Sequence, residues 1–577
     1  MHMNNVRYFQ LGRPRFRLHT VLVMACVVLV LPARVVRSDT TVRCRNGAVV
    51  CVSQEAADIG LDALRRGGNA IDAAVATAFA LAVTYPAAGN IGGGGYMLVV
   101  PEGGDGSLVF DFREVAPAMA TRDMFVNPRG RTPHRRVGVP GTVRGLALAH
   151  QRLGRLPWRG LVLPAVKLAR EGFALDAAVA EELNEVLEEH DAEEFAALHD
   201  TYGHPEERPW RAGDTLVQED LGKVLSQIAE RGPAGFYAGP VADLIVKEMR
   251  RGGGLVSHAD LAAYEPVVRE PVREPYRDCE IFAVPPSSSG GTTLVEMLHL
   301  LETFDLPQRE RWSAETLHLM IECMRRAYRD RAAYLGDPAW TPIPRNLLEP
   351  DYARDLAATI DPVRATPSID LRGNIVVTPE SEQTTHLSIV DRERTAVSLT
   401  YTLEQPFGSK VVVPGGGFLL NDEMNDFNWV PGLTNTRGRI GTPPNDVAPG
   451  KRMLSSMCPT VVQRDGRTLL VTGSPGGRTI INTVLCVVVN VVDFEMDVRG
   501  AVDAPRLHHG WFPDEVRVEP GLVRDHPRAL EKLKLMGHTI AAPPRRQGDA
   551  HTIWIDPATG EIVGAADTRI SGSAAGF

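Results

Sequence analysis

A glycine turn in the C-terminal third of the chain is the first feature that could carry chemistry. Ser474-Pro475-Gly476-Gly477 precedes an apolar stretch that predicts a helix from Arg478 to Val492. Serine favours the capping position of a helix and proline its first position. The first N–H groups of a helix have no partner within it, so they can stabilise an anion such as the oxyanion of an acyl transfer. A turn that only starts the helix remains the alternative at this point.

Thr384 and Thr402 are a second candidate, because a predicted hairpin places them side by side. Two stretches of alternating apolar and polar residues flank a turn at residues 391–395. Pairing Leu387 with Leu399 gives a register that sets Thr384 opposite Thr402. Directly opposed side chains lie roughly 4.5–5.5 Å apart at Cβ, so the Thr402 hydroxyl is expected within hydrogen-bonding reach of Thr384.

The elements that must position these residues are strands and helices throughout. The N-terminal part predicts a strand at 47–53, helices at 55–66 and 70–83, and strands at 96–100 and around 108–112. The glycine run at 89–95 lacks the Lys-Ser/Thr of a phosphate loop and predicts a close-packed turn. A mostly helical middle includes a helix at 316–334, and a second hairpin is predicted at 460–472, with its turn at Asp465-Gly466.

Proline and charge mark residues 337–382. Their weak periodicity predicts an exposed connector, of the kind that tolerates a cut.

The sequence around Thr384 resembles the processing site of the γ-glutamyltransferase family. The resemblance rests on Gln383-Thr384-Thr385-His386-Leu387-Ser388 and on further matches in the family's order. These matches are residues 67–74, 89–95, 111–114, 138–142, 286–291, 401–403, 421–427, 451–457 and 472–477.

The resemblance implies an α/β fold, the four-layer αββα sandwich of the N-terminal nucleophile hydrolases, made as a self-cleaving proenzyme. Cleavage between Gln383 and Thr384 would leave a large subunit, 39–383, and a small subunit, 384–577, paired as a heterodimer. The new α-amine of Thr384 would have an unperturbed pKa of roughly 7.7–8.0, and it could act as the base for the threonine's own hydroxyl. No Ser-His-Asp arrangement is then needed.

The family's site residues carry over one by one to this sequence. Thr384 would attack the amide carbonyl of glutathione or another γ-glutamyl compound, Gly476 and Gly477 would hold the oxyanion, and the acyl group would pass to water or to an amino-acid or dipeptide acceptor. The resemblance implies that the substrate α-carboxylate is bound by Arg113, Ser455 and Ser456. It implies that the α-ammonium is bound by Asp426, with Glu404 and Glu423 close by. Neither a cofactor nor a metal is expected.

Two positions depart from parts of the family. Glu404 stands where many members have asparagine, and it resembles the Bacillus-type enzymes. Residues 428–450 resemble a lid loop, but Arg437 stands where a tyrosine closes the pocket in the enterobacterial type. The sequence therefore leaves open the donor preference and the balance between hydrolysis and transfer.

Three alternatives remain. A cephalosporin or glutaryl acylase and a poly-γ-glutamate depolymerase share the fold and its processing. Arg113 and Asp426 together suit an α-amino acid, which favours a γ-glutamyl donor over a glutaryl group that lacks the amine. The third alternative, an inactive extracellular binding protein, would need neither Thr384 nor the glycine turn.

Composition and the N-terminal segment indicate the class of the protein and its location. The 577 residues are 44% hydrophobic and 23% charged, as in a globular protein. Residues 1–38 hold six arginines, no acidic group and the apolar run Val21–Leu31, which predicts a cleaved secretory signal or an uncleaved N-terminal anchor, hence a periplasmic or secreted protein. Removing them lowers the formal charge of −9 by six, to −15, which disfavours nucleic-acid binding. Cys44 and Cys51 could be a disulfide or two buried thiols.

Overall fold

The computed structural model describes residues 40–373, 375 and 385–577. Its strands are β1 (Thr41–Cys44), β2 (Ala48–Cys51), β3 (Gly94–Val100), β4 (Leu108–Asp111), β5 (Phe173–Ala174), β6 (Thr215–Leu216), β7 (Val267–Arg269), β8 (Val272–Tyr276), β9 (Cys279–Ala283), β10 (Thr385–Val390), β11 (Ala396–Thr402), β12 (Thr460–Arg464), β13 (Arg467–Thr472), β14 (Leu507–His508), β15 (Arg517–Val518), β16 (Thr552–Ile555), β17 (Ile562–Ala565) and β18 (Ser573–Gly576).

The α-helices lie in the sequence between these strands. They are α1 (Gln54–Arg65), α2 (Ala70–Thr84), α3 (Thr142–Leu153), α4 (Trp158–Glu171), α5 (Ala177–Glu189), α6 (Ala196–Tyr202), α7 (Glu219–Arg231), α8 (Ala234–Tyr237), α9 (Pro240–Gly252), α10 (His258–Ala263), α11 (Gly290–Glu302), α12 (Ala314–Tyr334), α13 (Pro350–Ala357), α14 (Ile480–Val492), α15 (Val498–Asp503), α16 (Pro520–Asp525) and α17 (Pro527–Leu535).

Two antiparallel sheets form the centre of the fold. One has the strand order β1-β17-β16-β13-β12-β9-β8 and the other β18-β2-β10-β11-β3-β4-β7. The sheets pack face to face, and hydrogen bonds cross between them: the Ser398 hydroxyl donates to the Thr472 carbonyl at 2.9 Å and the Ser388 hydroxyl to the His551 carbonyl at 2.8 Å. Helix α2 covers the second sheet and α11 the first. This is the predicted four-layer αββα sandwich.

Helix α2 shows how the sequence builds an outer layer. Asn69 caps it by accepting from the Asp72 N–H, and the Asp72 carboxylate accepts from the Asn69 N–H, which completes a capping box. All fifteen residues of the helix are buried, and their many alanines let it approach the sheet and its neighbouring helices closely. The position of α2 matters for the site, because it packs behind β10 and β11.

The predicted hairpin register is confirmed. Leu387 pairs with Leu399, and the described ladder of β10 and β11 reaches Thr385 opposite Tyr401. Gln383 and Thr384 lie outside the described residues, so the pairing of Thr384 with Thr402 stays a prediction. The second hairpin is also confirmed as β12 and β13, with a bulge between Val462 and Gln463.

Two local predictions were wrong. Residues 337–373 are not a loose connector, because they include α13 and bury the side chains of Asp337, Leu347 and Ser368. The helix predicted from Arg478 begins at Ile480, after a short 3-10 turn at Gly477–Thr479. Residues 376–382 of the predicted connector lie outside the described part.

Cys44 and Cys51 are free, buried thiols that belong to different sheets. Burial raises the pKa of the Cys51 thiol to about 12. No helix in the described ranges is long and apolar enough to cross a bilayer. The predicted signal or anchor at 1–38 lies outside them.

Candidate active site

Thr402 ends β11 at the edge of a pocket. Its hydroxyl oxygen accepts a hydrogen bond from the Glu404 N–H at 2.8 Å, and its carbonyl accepts one from the Asn90 side chain at 2.9 Å. A Cβ on Gly93 would lie 1.9 Å from that carbonyl oxygen, so only glycine permits this approach. The glycine run at 89–95 is thus the close-packed turn that the sequence predicts, and it fixes the end of the strand.

The pocket beside Thr402 brings together eight of the predicted site residues: Arg113, Thr402, Glu404, Glu423, Asp426, Ser455, Ser456 and Gly477. These residues come from loops, a strand end and two short 3-10 turns, and the first and last of them are more than 360 positions apart in the sequence. Gly476 does not line this pocket but faces a neighbouring groove. The turn of Gly476 and Gly477 therefore separates two concave surfaces.

Arg113 is a deeply buried cation of the pocket, with 1% of its surface exposed. Its guanidinium forms ion pairs with Glu423 and Asp426 and lies 3.5 Å from Glu114. Burial acts to lower the pKa of Arg113, but the attraction of these carboxylates outweighs it and raises that pKa. The planar, permanently charged guanidinium of Arg113 is thus held at the pocket wall.

Several carboxyl groups lie in and behind the pocket wall, whose lining also includes arginines at 113, 331 and 478. Burial raises the pKa of Glu114 to about 8, against the opposing influence of Arg113. Burial and the nearby charges of Asp422, Asp426 and Glu423 raise the pKa of Glu404 well above its usual range. A cationic partner would stabilise these carboxyl groups, because it would offset both the cost of their burial and their mutual repulsion.

The glycine turn has a backbone that other residues rarely adopt. Gly476 has φ 124° and Gly477 φ 52°. Within the described part of the chain, the N–H groups of Gly476 and Gly477 donate no hydrogen bond. Two adjacent, unpaired donors at the mouth of a pocket are the arrangement that an oxyanion requires.

Comparison with known proteins places this geometry in a family. The gamma-glutamyltranspeptidase family model matches residues 56–577. The chain belongs to the gamma-glutamyltranspeptidase family.

Individual members and fold neighbours support the assignment. The chain is 45% identical over 540 residues to a glutathione hydrolase proenzyme of Escherichia coli (strain K12), covering 92% of this chain and 91% of that protein. The crystal structure of cephalosporin acylase from Bacillus halodurans is similar with a TM-score of 0.82 and 28% identity, covering 96% and 99% of the two chains. The crystal structure of Helicobacter pylori gamma-glutamyltranspeptidase gives a TM-score of 0.53 at 37% identity, covering 57% of this chain and 96% of that one.

Ser455 and Ser456 in this gamma-glutamyltranspeptidase family member are held by different partners. The Ser455 hydroxyl accepts from the Met457 N–H at 3.0 Å. The Ser456 hydroxyl accepts from the Arg331 guanidinium at 2.8 Å, and the same guanidinium donates to Ser289 at 2.8 Å. Arg331 therefore connects α12 to Ser456 and Ser289.

Arg331 is a pocket residue that the sequence reasoning missed. It lies on α12, among arginines at 325, 326 and 329, and lines the pocket together with Arg113. Nothing in the local pattern distinguishes it from the other arginines of that helix. Its contact with Ser456, 125 residues away, is what gives it a place in the site.

The predicted lid loop of the family contributes to the pocket wall. Ile440, Thr442 and Asn445 line it, and the Thr442 hydroxyl donates to the Ala332 carbonyl at 2.5 Å. Arg437 is exposed and does not line the pocket.

Proposed function

We propose that the protein is a self-cleaving glutathione hydrolase and γ-glutamyl transferase. The observation that carries the proposal is the pocket in which Arg113 and Asp426 lie beside Thr402 and Gly477. A fixed cation and a fixed anion in one pocket suit the two charged groups of an α-amino acid. The family assignment supports Thr384 as the nucleophile of this proposal.

Processing would come first. The Thr384 hydroxyl attacks the Gln383 carbonyl, the peptide C–N bond breaks and an ester links the two residues. Water then cleaves this ester, which leaves the Gln383 carboxylate and a free Thr384 α-amine. The two resulting chains remain associated as large and small subunits.

Turnover would use the same hydroxyl. The Thr384 amine takes the hydroxyl proton as the oxygen attacks the γ-glutamyl carbonyl, and the N–H groups of Gly476 and Gly477 stabilise the oxyanion. The tetrahedral species expels the amine half, which receives the proton, and leaves a γ-glutamyl ester on Thr384. Water converts the ester to glutamate, whereas an amino-acid or peptide amine converts it to a new γ-glutamyl compound.

The charged groups of the pocket would orient the donor. The substrate carboxylate binds Arg113 and the hydroxyls of Ser455 and Ser456, and its ammonium binds Asp426, Glu404 and Glu423. Arg113 and Asp426 are already paired, so the donor inserts between two opposite charges instead of creating new buried ones. The Ser456 hydroxyl, held by Arg331, keeps its own hydrogen for the substrate carboxylate.

A glutaryl acylase is the second candidate, because the structure of a cephalosporin acylase matches nearly the whole length of this chain. Glutaryl and γ-glutamyl groups differ only by the α-amine, which glutaryl lacks. The acidic end formed by Glu404, Glu423 and Asp426 would then receive no ammonium group from the substrate.

A matched pair of anilides separates the two functions. We expect the γ-glutamyl anilide to be cleaved with a kcat/KM about 100-fold above that of the glutaryl anilide, because the glutaryl compound has no ammonium group to bind the carboxyl groups of the pocket. Asp426→Asn should reduce this ratio and leave processing unchanged. Equal rates on both anilides would favour the acylase.

The setting of the reaction follows from the predicted N-terminal signal. We propose a periplasmic or secreted enzyme that acts on γ-glutamyl compounds outside the cytoplasm. Cell fractionation with and without residues 1–38 tests this: the full-length protein should be exported and the truncated one retained.

A further inference from the structure

A basic groove lies on the other side of the glycine turn from the pocket, whose own lining holds three arginines and three carboxyl side chains. Gly477 lines the pocket and Gly476 lines the groove. The other walls of the groove come from β15, from the loop at 541–548 and from residues 569–570. Its charged lining residues are four arginines and one glutamate: Arg517, Arg545, Arg546, Arg569 and Glu515.

Two of the four arginines are compensated by nearby carboxylates. Arg569 forms ion pairs with Glu519 at 2.7 Å and with Asp567 at 3.0 Å. Arg517 lies 3.8 Å from Glu515. These two side chains therefore contribute little net charge to the groove.

Arg545 and Arg546 carry the positive charge of the groove. Both are exposed, and Arg546 donates to the Arg569 carbonyl at 3.1 Å. In the described ranges, the Arg545 guanidinium has no hydrogen bond or ion pair, although its backbone N–H donates to the Val518 carbonyl at 3.2 Å. The backbone of Arg545 is therefore held in place, while its guanidinium is available to a ligand.

The loop that carries these arginines is attached to the glycine turn. A Cβ on Gly476 would lie 3.3 Å from the Gly548 Cα, and the Asp549 N–H donates to the Ser474 hydroxyl at 2.9 Å. The distance from the arginines to the turn is therefore set by backbone contacts and does not depend on flexible side chains alone.

The groove thus carries an excess of positive charge, whereas arginines and carboxyl side chains are equal in number in the pocket lining. A γ-glutamyl amide has two halves, an acyl half with an ammonium group and an amine half that leaves. If its carbonyl lies at Gly476 and Gly477 and the ammonium of its acyl half lies at Asp426, Glu404 and Glu423, the amine half would extend toward the groove. In a γ-glutamyl peptide this amine half ends in a carboxylate, which matches the charge of the groove.

We propose that Arg545 and Arg546 bind the carboxylate of the amine half of the substrate, both in the leaving group of a γ-glutamyl peptide and in the amino acid or peptide that accepts the acyl group. The proposal rests on the proposed function. It assigns the groove as a second subsite, specific for amines that bear a carboxylate.

Two donors that differ by a single carboxylate test the subsite. The wild type, the double variant Arg545→Ala/Arg546→Ala and a control, Arg528→Ala, are assayed with γ-glutamyl-4-nitroanilide and with γ-glutamyl-3-carboxy-4-nitroanilide. Arg528 is exposed on α17 and does not line the groove, so the control removes a surface charge elsewhere. Glycylglycine serves as the acceptor in a parallel transfer assay.

We expect the double variant to lose about fivefold in kcat/KM on the carboxylated anilide and to show a similar rise in the KM for glycylglycine, while the uncarboxylated anilide changes less than twofold. Added salt should reduce the wild-type preference for the carboxylated anilide. Equal losses on both anilides, or no loss on either, would overturn the subsite. If the wild type cleaves neither anilide, the proposed function itself fails and the subsite fails with it.

Discussion

The hydroxyl of Thr402 accepts a hydrogen bond from the backbone N–H of Glu404 at 2.8 Å. Thr402 is the predicted neighbour of the nucleophile, and Glu404 belongs to the acidic end of the pocket. The contact therefore links these two parts of the site within three consecutive residues. Glu404 has φ 82°, a conformation that a non-glycine residue adopts at a cost. The strand end and the recognition site are therefore one rigid unit.

The buried carboxyl of Glu404 makes stability depend on pH. Because burial and neighbouring carboxylates raise its pKa in the folded state, its contribution to stability is complete below the unfolded value of about 4.3 and is lost as the pH rises toward the folded value. Glu404→Gln removes this loss. We expect the variant to melt about 1–3 °C above the wild type at pH 8 and at the same temperature near pH 4.

Thermal melts across this pH range check the prediction, with Glu270→Gln at an exposed position as the control. A Glu404→Gln variant whose melting temperature follows the wild type at every pH would show that Glu404 is not a source of strain in the folded protein.

Arg113→Lys keeps the positive charge and removes the planar fork. The smaller ammonium can neutralise Glu423 and Asp426, but it cannot bind a substrate carboxylate through two parallel N–H groups. We expect normal processing and a rise of about 30-fold in the KM for the donor. Steady-state kinetics with a γ-glutamyl anilide measure this, and an unchanged KM would place the carboxylate elsewhere.

Arg331→Ala tests a residue that acts through Ser456. The change removes the hydrogen bonds to Ser456 and Ser289, so the Ser456 hydroxyl loses its orientation. We expect the donor KM to rise about 10-fold and kcat to change less than threefold. Arg331→Lys should recover part of the loss, whereas a fall in kcat alone would contradict a role in donor binding.

Gly476→Ala tests the geometry of the turn. A Cβ there would lie 2.6 Å from the Thr479 hydroxyl, at a φ of 124° that alanine does not tolerate. Displacement of either N–H donor should lower kcat about 100-fold or more. Gly213→Ala is the matched control, since Gly213 also has positive φ but a Cβ would meet nothing within 4 Å; similar losses in both variants would indicate strain alone.

The hairpins could be predicted because their evidence is local. The alternation around Leu387 and Leu399 specifies which residues face each other, and a slip by one position would turn every apolar side chain to the wrong face. The start of α2 is likewise marked locally, because the capping residues Asn69 and Asp72 lie within four positions of each other.

Other features depend on distant contacts and could not be predicted in this way. Ser474 resembles a helix cap, but its hydroxyl donates to the Pro475 carbonyl and accepts from the Asp549 N–H, so the helix starts later. Residues 337–373 look like a connector because their polar groups find partners far away: the Asp337 carboxylate accepts from the Arg452 N–H at 2.9 Å. The family resemblance predicted site residues of which eight line one pocket, whereas the charged groove and Arg331 required the folded structure.

Processing at Thr384 is the central claim, and one measurement tests it directly. The purified wild type and Thr384→Ala are run on a denaturing gel, the fragments are sequenced from their N-termini, and both samples are assayed with a γ-glutamyl anilide. The account predicts two wild-type fragments, the smaller beginning Thr384-Thr385-His386, with anilide release, and one inactive, uncut chain for Thr384→Ala. A Thr384→Ala protein that is cut at the same place, or an uncut wild type that releases the anilide, would contradict it.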